Sequence, residues 1–248
     1  MAVLPRVSSA DIAAWSDPSQ QVRITFEEAA SALHALGPRF RFIKTQEPAA
    51  NLLDAGAGDG SLMLLRDWMA PARSDIRMFA WAGDYNQGFD RYQDSEVGFW
   101  PEHRPDFGGR KFDAIFSANF IEHIDDPLAF VKWAASRLAA RGRMFLEWPP
   151  PQSLHLPTTK ALAAAGVNVM VGAYHDDATH RPEPPKMEDV AATLLSHGLI
   201  ITESGFVRVP FIDRQLAIHA RRASDLVAMT LAYWSHTDWC QYLVAELG

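Results

Sequence analysis

The stretch that decides the fold is NLLDAGAGDG at residues 51–60, in which a short apolar run ends at the acid Asp54 and three glycines then alternate. An apolar helical stretch follows at once, over residues 61–69. Glycine tolerates a positive φ and has no Cβ, so a glycine turn can be sharp and a ligand can approach its backbone closely. The helix that follows offers unpaired N–H groups and the positive end of its dipole. The pattern therefore predicts a buried strand, a tight turn and a helix start that suit a bound ligand.

The spacing of the glycines indicates which class of ligand such a turn binds. The dinucleotide fingerprint G-x-G-x-x-G needs its third glycine at Ser61, one residue after Gly60. The phosphate-binding loop needs a lysine, which this turn lacks. The remaining pattern, D-x-G-x-G-x-G over residues 54–60, resembles motif I of the class I S-adenosylmethionine (SAM) dependent methyltransferases. That resemblance implies that the turn holds the methionine and ribose part of SAM, and an ordinary glycine turn without a ligand is the alternative.

A second acid follows the next predicted strand, over residues 76–82. The strand leads into Gly83-Asp84-Tyr85-Asn86, and Asp84 stands 24 residues past Gly60, close to the separation of about 20 that is usual in nucleotide-binding folds. A carboxylate at the tip of the second strand accepts hydrogen bonds from ribose hydroxyls in such folds. A simple turn aspartate is the alternative for Asp84. Together with the glycine turn, however, Asp84 favours the ligand-binding interpretation.

The block 112–149 strengthens the resemblance. It contains a buried strand at 112–118, then Asn-Phe-Ile-Glu-His, an Asp-Pro helix start and a further strand at 144–148. This is similar to the F-D…L-E-H…D-P…L…G-G…P sequence of small-molecule SAM methyltransferases, with Arg143 in place of the second glycine. The resemblance implies that the segment after the fourth strand lies beside the sulfonium. DNA adenine methyltransferases carry Asp/Asn-Pro-Pro-aromatic there, so the sequence argues against a nucleic-acid amino methyltransferase.

The remaining strands are predicted from shorter apolar runs. We expect the third strand at 97–100 and the last two strands at 199–203 and 215–220. The resemblance implies that the last strand runs antiparallel at the edge of the sheet. It also implies an acid after the third strand that meets the adenine amino group, for which Asp106 is the nearest candidate and Asp94 a weaker one.

Residues 152–185 form a long excursion before the next helix, and loops of such length are usually functional or mobile. Its Tyr-His-Asp-Asp-Ala-Thr-His stretch is similar to a loop that closes over substrate in several members of the family. His175 or His180 could act as a general base, because histidine titrates near neutrality. The two histidines together with Asp176 and Asp177 could instead ligate a divalent metal. In the third interpretation the aspartates cap backbone N–H groups and the histidines only order the loop.

Composition limits the function classes further. The 248 residues are 48% hydrophobic and carry a formal charge of −7, which fits a large α/β domain and gives no nucleic-acid footprint. Cys240 is the only cysteine, which excludes an intrachain disulfide and a cysteine zinc cluster and fits a reducing cytoplasm. The sequence shows neither a signal-peptide core nor an apolar run long enough for a membrane span. We therefore expect a cytoplasmic protein with a small-molecule partner and no nucleic-acid or membrane partner.

The predicted fold is α/β, a doubly wound, mostly parallel seven-stranded sheet of the Rossmann-like methyltransferase type with helical extensions at both ends. The predicted domains are an N-terminal helical lid at 1–45, a SAM-binding domain at 46–222 that includes the excursion, and a C-terminal helical extension at 223–248. An apolar stripe such as that of the N-terminal helix can equally be ordinary core packing. The aromatic-rich C-terminal stripe can likewise be core, a cover over the pocket or a homodimer contact.

The function implied by the resemblance is transfer of the SAM methyl group to an oxygen, nitrogen or carbon nucleophile of a small metabolite or natural product, leaving S-adenosyl-L-homocysteine. The catalytic candidates are His123, His175 and His180, and the sequence singles out no metal ligands. The cofactor-binding candidates are Asp54, Ala55, Gly56, Ala57, Gly58, Gly60, Asp84, Tyr85, Asn119 and Phe120.

Three rival functions stay open from the sequence. A NAD-type dinucleotide-dependent oxidoreductase is disfavoured by the early third glycine. A non-catalytic SAM-binding protein would bind SAM while every acceptor stays inert. A protein or lipid methyltransferase would share the same motifs but modify a macromolecule.

Overall fold

The computed structural model describes residues 8–68, 70–208 and 212–248. The strands of the described residues are β1 (Asn51–Ala55), β2 (Arg77–Ala82), β3 (Asp94–Val97), β4 (Phe112–Ala118), β5 (Leu138–Trp148), β6 (Leu199–Phe206) and β7 (Gln241–Leu247). They form a seven-stranded sheet in the order β3-β2-β1-β4-β5-β7-β6. Strands β1 to β5 pair in parallel, and β7 runs antiparallel to both of its neighbours. The predicted mostly parallel, doubly wound sheet is therefore confirmed.

The helices of the described residues are α1 (Ser9–Trp15), α2 (Phe26–Leu36), α3 (Pro38–Lys44), α4 (Leu62–Asp67), α5 (Pro127–Arg137), α6 (Thr159–Ala164), α7 (Met187–Ser196), α8 (Ile212–Ala223) and α9 (Leu226–Thr237). The start of α5 shows why the sequence predicted it so well. The Asp126 side chain accepts a hydrogen bond of 2.9 Å from the backbone N–H of Ala129, and Pro127 occupies the first turn. After α7, Gly198 adopts φ +80°, a left-handed conformation that ends helices.

The two faces of the sheet are covered by different helices because successive side chains of a strand point to opposite faces. In β1, Leu53 faces a core with Phe130 of α5 and Leu194 of α7. Its neighbour Leu52 faces a second core with Ile43 of α3 and Met63 of α4. All six side chains are at most 1% exposed. The glycine turn at the end of β1 is thus held between two packed layers.

A third apolar cluster joins helices from both ends of the chain. Ile12 of α1, Leu162 of α6, Leu216 of α8 and Tyr233 of α9 are buried together. Helix α1 contacts α6, while α2 contacts α8. Helices α1 and α2 of the predicted N-terminal lid therefore pack with α6 and the C-terminal helices α8 and α9 as one helical cap.

The prediction of a strand at 215–220 is wrong, because these residues lie in α8. Their apolar residues Leu216, Ala217 and Ala220 also fit helical spacing, and periodicity alone cannot separate a short buried strand from a buried helix. The last strand is β7, which lies between β5 and β6 and not at the edge. The stretch 223–248 is consequently not purely helical, since it completes the sheet.

The third strand is also displaced from its predicted position at 97–100, because β3 spans Asp94–Val97. Trp100, which made the later stretch look apolar, is buried against Trp81 and Phe130, with ring centroids 6.3 and 5.6 Å away. The apolar character of the stretch 97–100 therefore reflects the packing of the Trp100 side chain and not the pairing of a strand.

Replacing Leu243 by alanine tests whether β7 is part of the main folding unit. Leu243 is 1% exposed and pairs in register with Leu146 of β5 and Ser204 of β6. We expect Leu243→Ala to lower the free energy of unfolding by about 2–5 kcal/mol, because it leaves a cavity in the core. Urea denaturation measures this loss in one cooperative transition. The control Leu195→Ala removes a side chain that is 56% exposed and should cost about 0.5 kcal/mol or less. A small loss or a separate early transition for Leu243→Ala would mean that 223–248 is a detachable extension.

Candidate active site

A cavity of about 500 Å³ lies at the carboxyl edge of the sheet. The ends of β1, β4 and β5 form its base, and α3, α4 and α9 form its walls. Its walls are mostly apolar, with Phe40, Leu62, Phe116, Leu231 and Trp234 among the lining residues. In open α/β sheets ligands bind outside the carboxyl ends of the strands, and this cavity has that position.

The glycine turn shapes the floor of the cavity. Gly56 and Gly58 adopt φ values of +81° and +53°, in the left-handed region that favours glycine. The backbone N–H groups of Gly56 and Ala57 both donate to the carbonyl oxygen of Trp81, at 2.9 Å. A Cβ on Gly56 would lie 2.6 Å from Phe120 Cγ and would clash with the ring. A Cβ on Gly58 would have only one neighbouring atom within 4 Å, the Gly56 carbonyl oxygen at 4.0 Å. The backbone of Gly58 therefore faces open space into which a ligand can fit.

Asp54 is a buried carboxyl group at the edge of this floor. It is 3% exposed, and the Tyr92 hydroxyl donates a hydrogen bond of 2.6 Å to its Oδ2. Burial raises the pKa of Asp54 to about 7, although the Tyr92 hydrogen bond and the charge of Arg39 oppose that shift. A ligand that places a cation or a hydroxyl here would favour the ionised form.

Arg39 and Glu147 supply the charged pair of the cavity. The Arg39 Nε donates to Glu147 Oε2 at 2.8 Å, and its Nη2 donates to Oε1, so the pair is bidentate. Glu147 is 1% exposed at the end of β5, while Arg39 comes from α3. The buried thiol of Cys240 also lines the cavity, and burial raises its pKa well above the ordinary value, which keeps it a poor nucleophile.

Two of the predicted cofactor residues meet the glycine turn from the end of β4. The Phe120 ring lies against Gly56 and contacts Trp81 edge-to-face, with ring centroids 5.3 Å apart. Asn119 adopts φ +52°, and its backbone N–H donates to the Glu147 carbonyl oxygen at 2.9 Å. Asp54, Gly56 and Ala57 line the cavity. Asn119 and Phe120 lie next to this lining, in contact with Glu147 and Gly56.

Asp84 and Tyr85 stand outside the lining of this cavity, after the neighbouring strand β2. Both are exposed, and the Tyr85 hydroxyl donates to the Asp90 carboxylate. The preceding Gly83 has no side chain, and the Phe99 ring occupies that space. Because β1 and β2 are parallel neighbours, Asp84 and the glycine turn follow the same edge of the sheet. Of the other predicted residues of the turn, Ala55 is buried in β1, and Gly60, at φ +76°, faces the backbone of Gly88.

The three predicted catalytic histidines do not line the cavity. His123 and His180 lie together, with ring centroids 4.7 Å apart, while His175 is exposed beside Tyr174. The metal set proposed from the loop sequence is not assembled among the described residues. Asp176 instead caps backbone N–H groups of Thr159, Gly172 and Ala173, at 2.7, 3.0 and 2.8 Å. The general-base role of the histidines stays a prediction.

Of the two acids considered for the adenine amino group, one is already hydrogen-bonded within the protein and the other lies at the wrong end of its strand. Asp106 accepts from Arg137 Nη1 at 2.9 Å and from the Gly109 backbone at 2.7 Å. Asp94 is the first residue of β3 and therefore lies at the amino end of that strand. The positions of Asp106 and Asp94 therefore do not support contact of either residue with a ligand at the carboxyl edge of the sheet.

Sequence reasoning missed Arg39 and Glu147, which contribute the charge inside the cavity. The two residues are 108 positions apart, and no local pattern links a helix arginine to a glutamate at a strand end. The only signal was an acid within the otherwise apolar run of β5, Met-Phe-Leu-Glu-Trp. A charged residue in a buried strand predicts a buried partner without identifying it.

A model of the "Methyltransferase domain" family matches residues 22–181 of the chain. Two curated relatives are ubiquinone biosynthesis O-methyltransferases. The one from Xanthomonas axonopodis pv. citri is 29% identical over 212 residues, covering 81% of this chain and 83% of the relative. The one from Xanthomonas euvesicatoria pv. vesicatoria is 27% identical with the same coverage.

Solved structures show the same fold at low sequence identity. The cyclopropane synthase MmaA2 from Mycobacterium tuberculosis has a TM-score of 0.56 and 18% identity, covering 95% of this chain and 93% of that one. The mycolic acid cyclopropane synthase CmaA1, complexed with S-adenosyl-L-homocysteine (SAH) and CTAB, has a TM-score of 0.54, 17% identity and the same coverage. Within the described residues, none of the helices is long and apolar enough to cross a membrane.

The burial of Asp54 predicts a specific dependence of stability on pH. The folded protein holds the Asp54 proton up to about pH 7, whereas the unfolded chain releases it near 3.8. The folded state therefore binds more protons between these values, and its free energy of unfolding should fall as pH rises through this window. Asp54→Asn keeps the shape of the side chain but cannot ionise, so it should remove a fall in the free energy of unfolding on the order of 4 kcal/mol.

Denaturant titrations from pH 4 to pH 8 measure how the free energy of unfolding changes with pH in the parent protein and in Asp54→Asn. Glu122, whose pKa is raised by burial to about 8, should contribute a similar fall to both proteins. Identical slopes for the variant and the parent would show that folding does not raise the pKa of Asp54.

Proposed function

The chain belongs to the class I SAM-dependent methyltransferases, and on that basis we propose that it transfers the methyl group of SAM to a hydroxyl oxygen of a small, largely apolar acceptor. The resemblance stated from motif I is confirmed by the family match, and SAM is the cofactor. The dinucleotide oxidoreductase and the non-catalytic binding protein are not favoured. The proposal concerns the acceptor and the residues that serve each part of the reaction.

The single observation that carries the proposal is the shape of the cavity. Its floor is the glycine turn, and its walls are apolar over most of their surface. A small acceptor with an apolar body can be desolvated there while its reacting group points at the cofactor side. The acidic charge of the chain, −7, agrees with a small-molecule acceptor and supports the proposal that no nucleic acid binds.

Oxygen is proposed as the acceptor atom for two reasons. Both curated relatives carry the name O-methyltransferase, which comes to this chain only as part of the proposal. In addition, the Glu147 carboxylate, in its pair with Arg39, is one of the few polar groups that line the apolar cavity. A carboxylate accepts a hydrogen bond from a hydroxyl and can orient it.

The structure fits the cofactor in two respects. The backbone at Gly58 is open to a ligand, and the exposed Asp84 carboxylate follows β2, where ribose hydroxyls are bound in related folds. We propose that the turn holds the methionine part and that Asp84 holds the ribose. The residues proposed to contact SAM are Asp54, Ala55, Gly56, Ala57, Gly58, Gly60, Asp84, Tyr85, Asn119 and Phe120.

When bound, SAM supplies a methyl group activated by a sulfonium, and the chain supplies alignment. Glu147 orients the acceptor hydroxyl and takes up its proton as the oxygen becomes alkylated. Arg39 holds the carboxylate in place through its bidentate contact. Pro38 and Phe40 of α3 and Trp234 of α9 exclude water from the pocket. Positioning of this kind accounts for most of the acceleration in a transfer between two bound reactants.

The described part of the predicted lid at 1–45 consists of α1 and α2, which belong to the helical cap, and of α3. We propose that this lid and the excursion 152–185 enclose the acceptor, while the rest of 46–222 carries SAM. The C-terminal aromatic residues Tyr233 and Trp239 are buried, and Trp234 lines the cavity, which supports the cover interpretation. A homodimer and a cytoplasmic location stay predictions from the sequence.

Asp84→Asn tests the cofactor site. We expect the dissociation constant for SAM, measured by calorimetry, to rise about tenfold or more, because hydrogen bonds to a charged group are worth about 1.5–3 kcal/mol. Asp94→Asn is the matched control, since it changes an exposed aspartate at the amino end of the neighbouring strand. Equal affinities in all three proteins would remove Asp84 from the proposed site, and weakened binding in both variants would point to a general effect of charge.

Glu147→Gln tests the acceptor side with a catechol probe and radiolabelled SAM. We expect O-methylation to fall about 100-fold or more, in the range usual for loss of an acid–base group, while SAM affinity changes less than threefold. The thermal midpoint of each protein checks that the fold survives loss of the charge opposite Arg39. A matching aniline probe should react more slowly than the catechol. Faster methylation of the aniline, or unchanged catechol methylation in the variant, contradicts the proposal.

A further inference from the structure

A second group of polar side chains lies outside the lining of the cavity and is not used by the proposed reaction. Glu122 and His123 follow β4, and His180 comes from the excursion 152–185. One possible ligand atom from each of the three lies within 4.8 Å of the other two. Two distant segments of the chain therefore bring a carboxylate and two imidazoles to one point.

Glu122 is the unusual member of this group. Its side chain is 0% exposed, and among the described residues neither carboxylate oxygen finds a hydrogen-bond donor beyond its own backbone. Burial of a carboxylate without a partner is costly, and native proteins rarely leave such a group unsatisfied. The Oε1 atom lies 4.0 Å from His123 Nε2, so the carboxylate is directed at the imidazole.

The hydrogen bonds around His123 fix which nitrogen can act as a ligand. The Thr179 hydroxyl donates its single proton to Asp177 Oδ1 at 2.6 Å. At 2.9 Å from His123 Nδ1, the same hydroxyl oxygen must therefore accept, which places the ring proton on Nδ1. The lone pair of neutral His123 is then on Nε2, the atom that faces Glu122.

His180 is oriented in the same manner. Its Nδ1 lies 2.6 Å from the Tyr174 carbonyl oxygen, which can only accept, so Nδ1 carries the proton. The Nε2 lone pair then points toward the group and lies 3.8 Å from Asp177 Oδ2. Metal-binding histidines usually donate the other ring N–H to a carbonyl or hydroxyl in this way, which fixes tautomer and orientation.

We propose that Glu122, His123 and His180 form a binding site for a divalent first-row transition ion, with Asp177 as a fourth ligand. Two imidazoles with carboxylates suit Zn²⁺ and its neighbours, whereas Mg²⁺ and Ca²⁺ prefer sites made of oxygen only. Ligand atoms around tetrahedral Zn²⁺ are about 3.3 Å apart, so ligand atoms that lie up to 4.8 Å apart must approach one another by up to about 1.5 Å. His123, which is 28% exposed, has room to do so.

Such an ion would tie the excursion to the sheet. His180 belongs to the loop, while Glu122 and His123 belong to the turn after β4 that also carries Asn119 and Phe120. Metal binding would therefore fix the loop against this turn. The inference rests on these contacts and not on the proposed acceptor.

The test uses the full chain, stripped with EDTA and titrated with Zn²⁺ by calorimetry. We expect one ion per chain and a dissociation constant in the micromolar range or below. Co²⁺ should give the visible absorption of a low-coordinate site. Zn²⁺ at 100 times its dissociation constant should raise the thermal midpoint by about 5 °C or more. Excess Mg²⁺ should not displace Zn²⁺.

Glu122→Gln and His180→Ala should each weaken Zn²⁺ binding about 100-fold and abolish the Co²⁺ spectrum. His175→Ala is the matched control, because it removes an exposed histidine of the same loop that lies outside the group, and it should bind within twofold of the parent. If His180→Ala does not fold, Glu122→Gln, which keeps the shape of the side chain, decides alone. Absence of stoichiometric binding, or full binding by Glu122→Gln, overturns the proposal and leaves a hydrogen-bonded cluster or adventitious surface histidines.

Discussion

The contact between the Phe120 ring and the backbone of Gly56 is the constraint on which the site depends. It joins the turn after β1 to the turn after β4, and only a residue without Cβ leaves room for the ring. Because Gly56 also requires a left-handed φ, two independent reasons fix glycine at this position. The same contact places Asn119 next to the end of β5 and so closes one side of the cavity.

Around that contact the cavity combines an apolar enclosure with few charges. Asp54 and Glu147 are both nearly fully buried, yet they are stabilised differently. Asp54 has a hydroxyl donor and a raised pKa, whereas Glu147 has a bidentate guanidinium partner. Two buried acids in one site can therefore hold a cation and a hydroxyl separately, as the proposed transfer requires.

The elements that could be predicted from the sequence are those with local physical causes. Local patterns of spacing, capping and apolar runs predict the glycine turn, the Asp126-Pro127 helix start and the buried strands of the central sheet. The fold type followed from them, and the family comparison agrees. The strand at 215–220 failed because a short apolar run suits either periodicity, and β7 was overlooked because its stretch was assigned to a helix. Arg39 with Glu147, and Glu122 with His180, depend on tertiary contacts that no local pattern encodes.

The place of β7 in the sheet has a consequence for the order of folding. β7 follows β6 in sequence, yet it lies between β5 and β6, so neither of these strands can complete its hydrogen bonds until β7 has arrived. During synthesis, the backbone edge of β5 and the whole of β6 must wait while α8, α9 and then residues 241–247 leave the ribosome. The sheet is therefore closed by insertion and not by growth at its edge, and the unfilled gap is the part of the nascent chain most in need of protection from pairing with other chains.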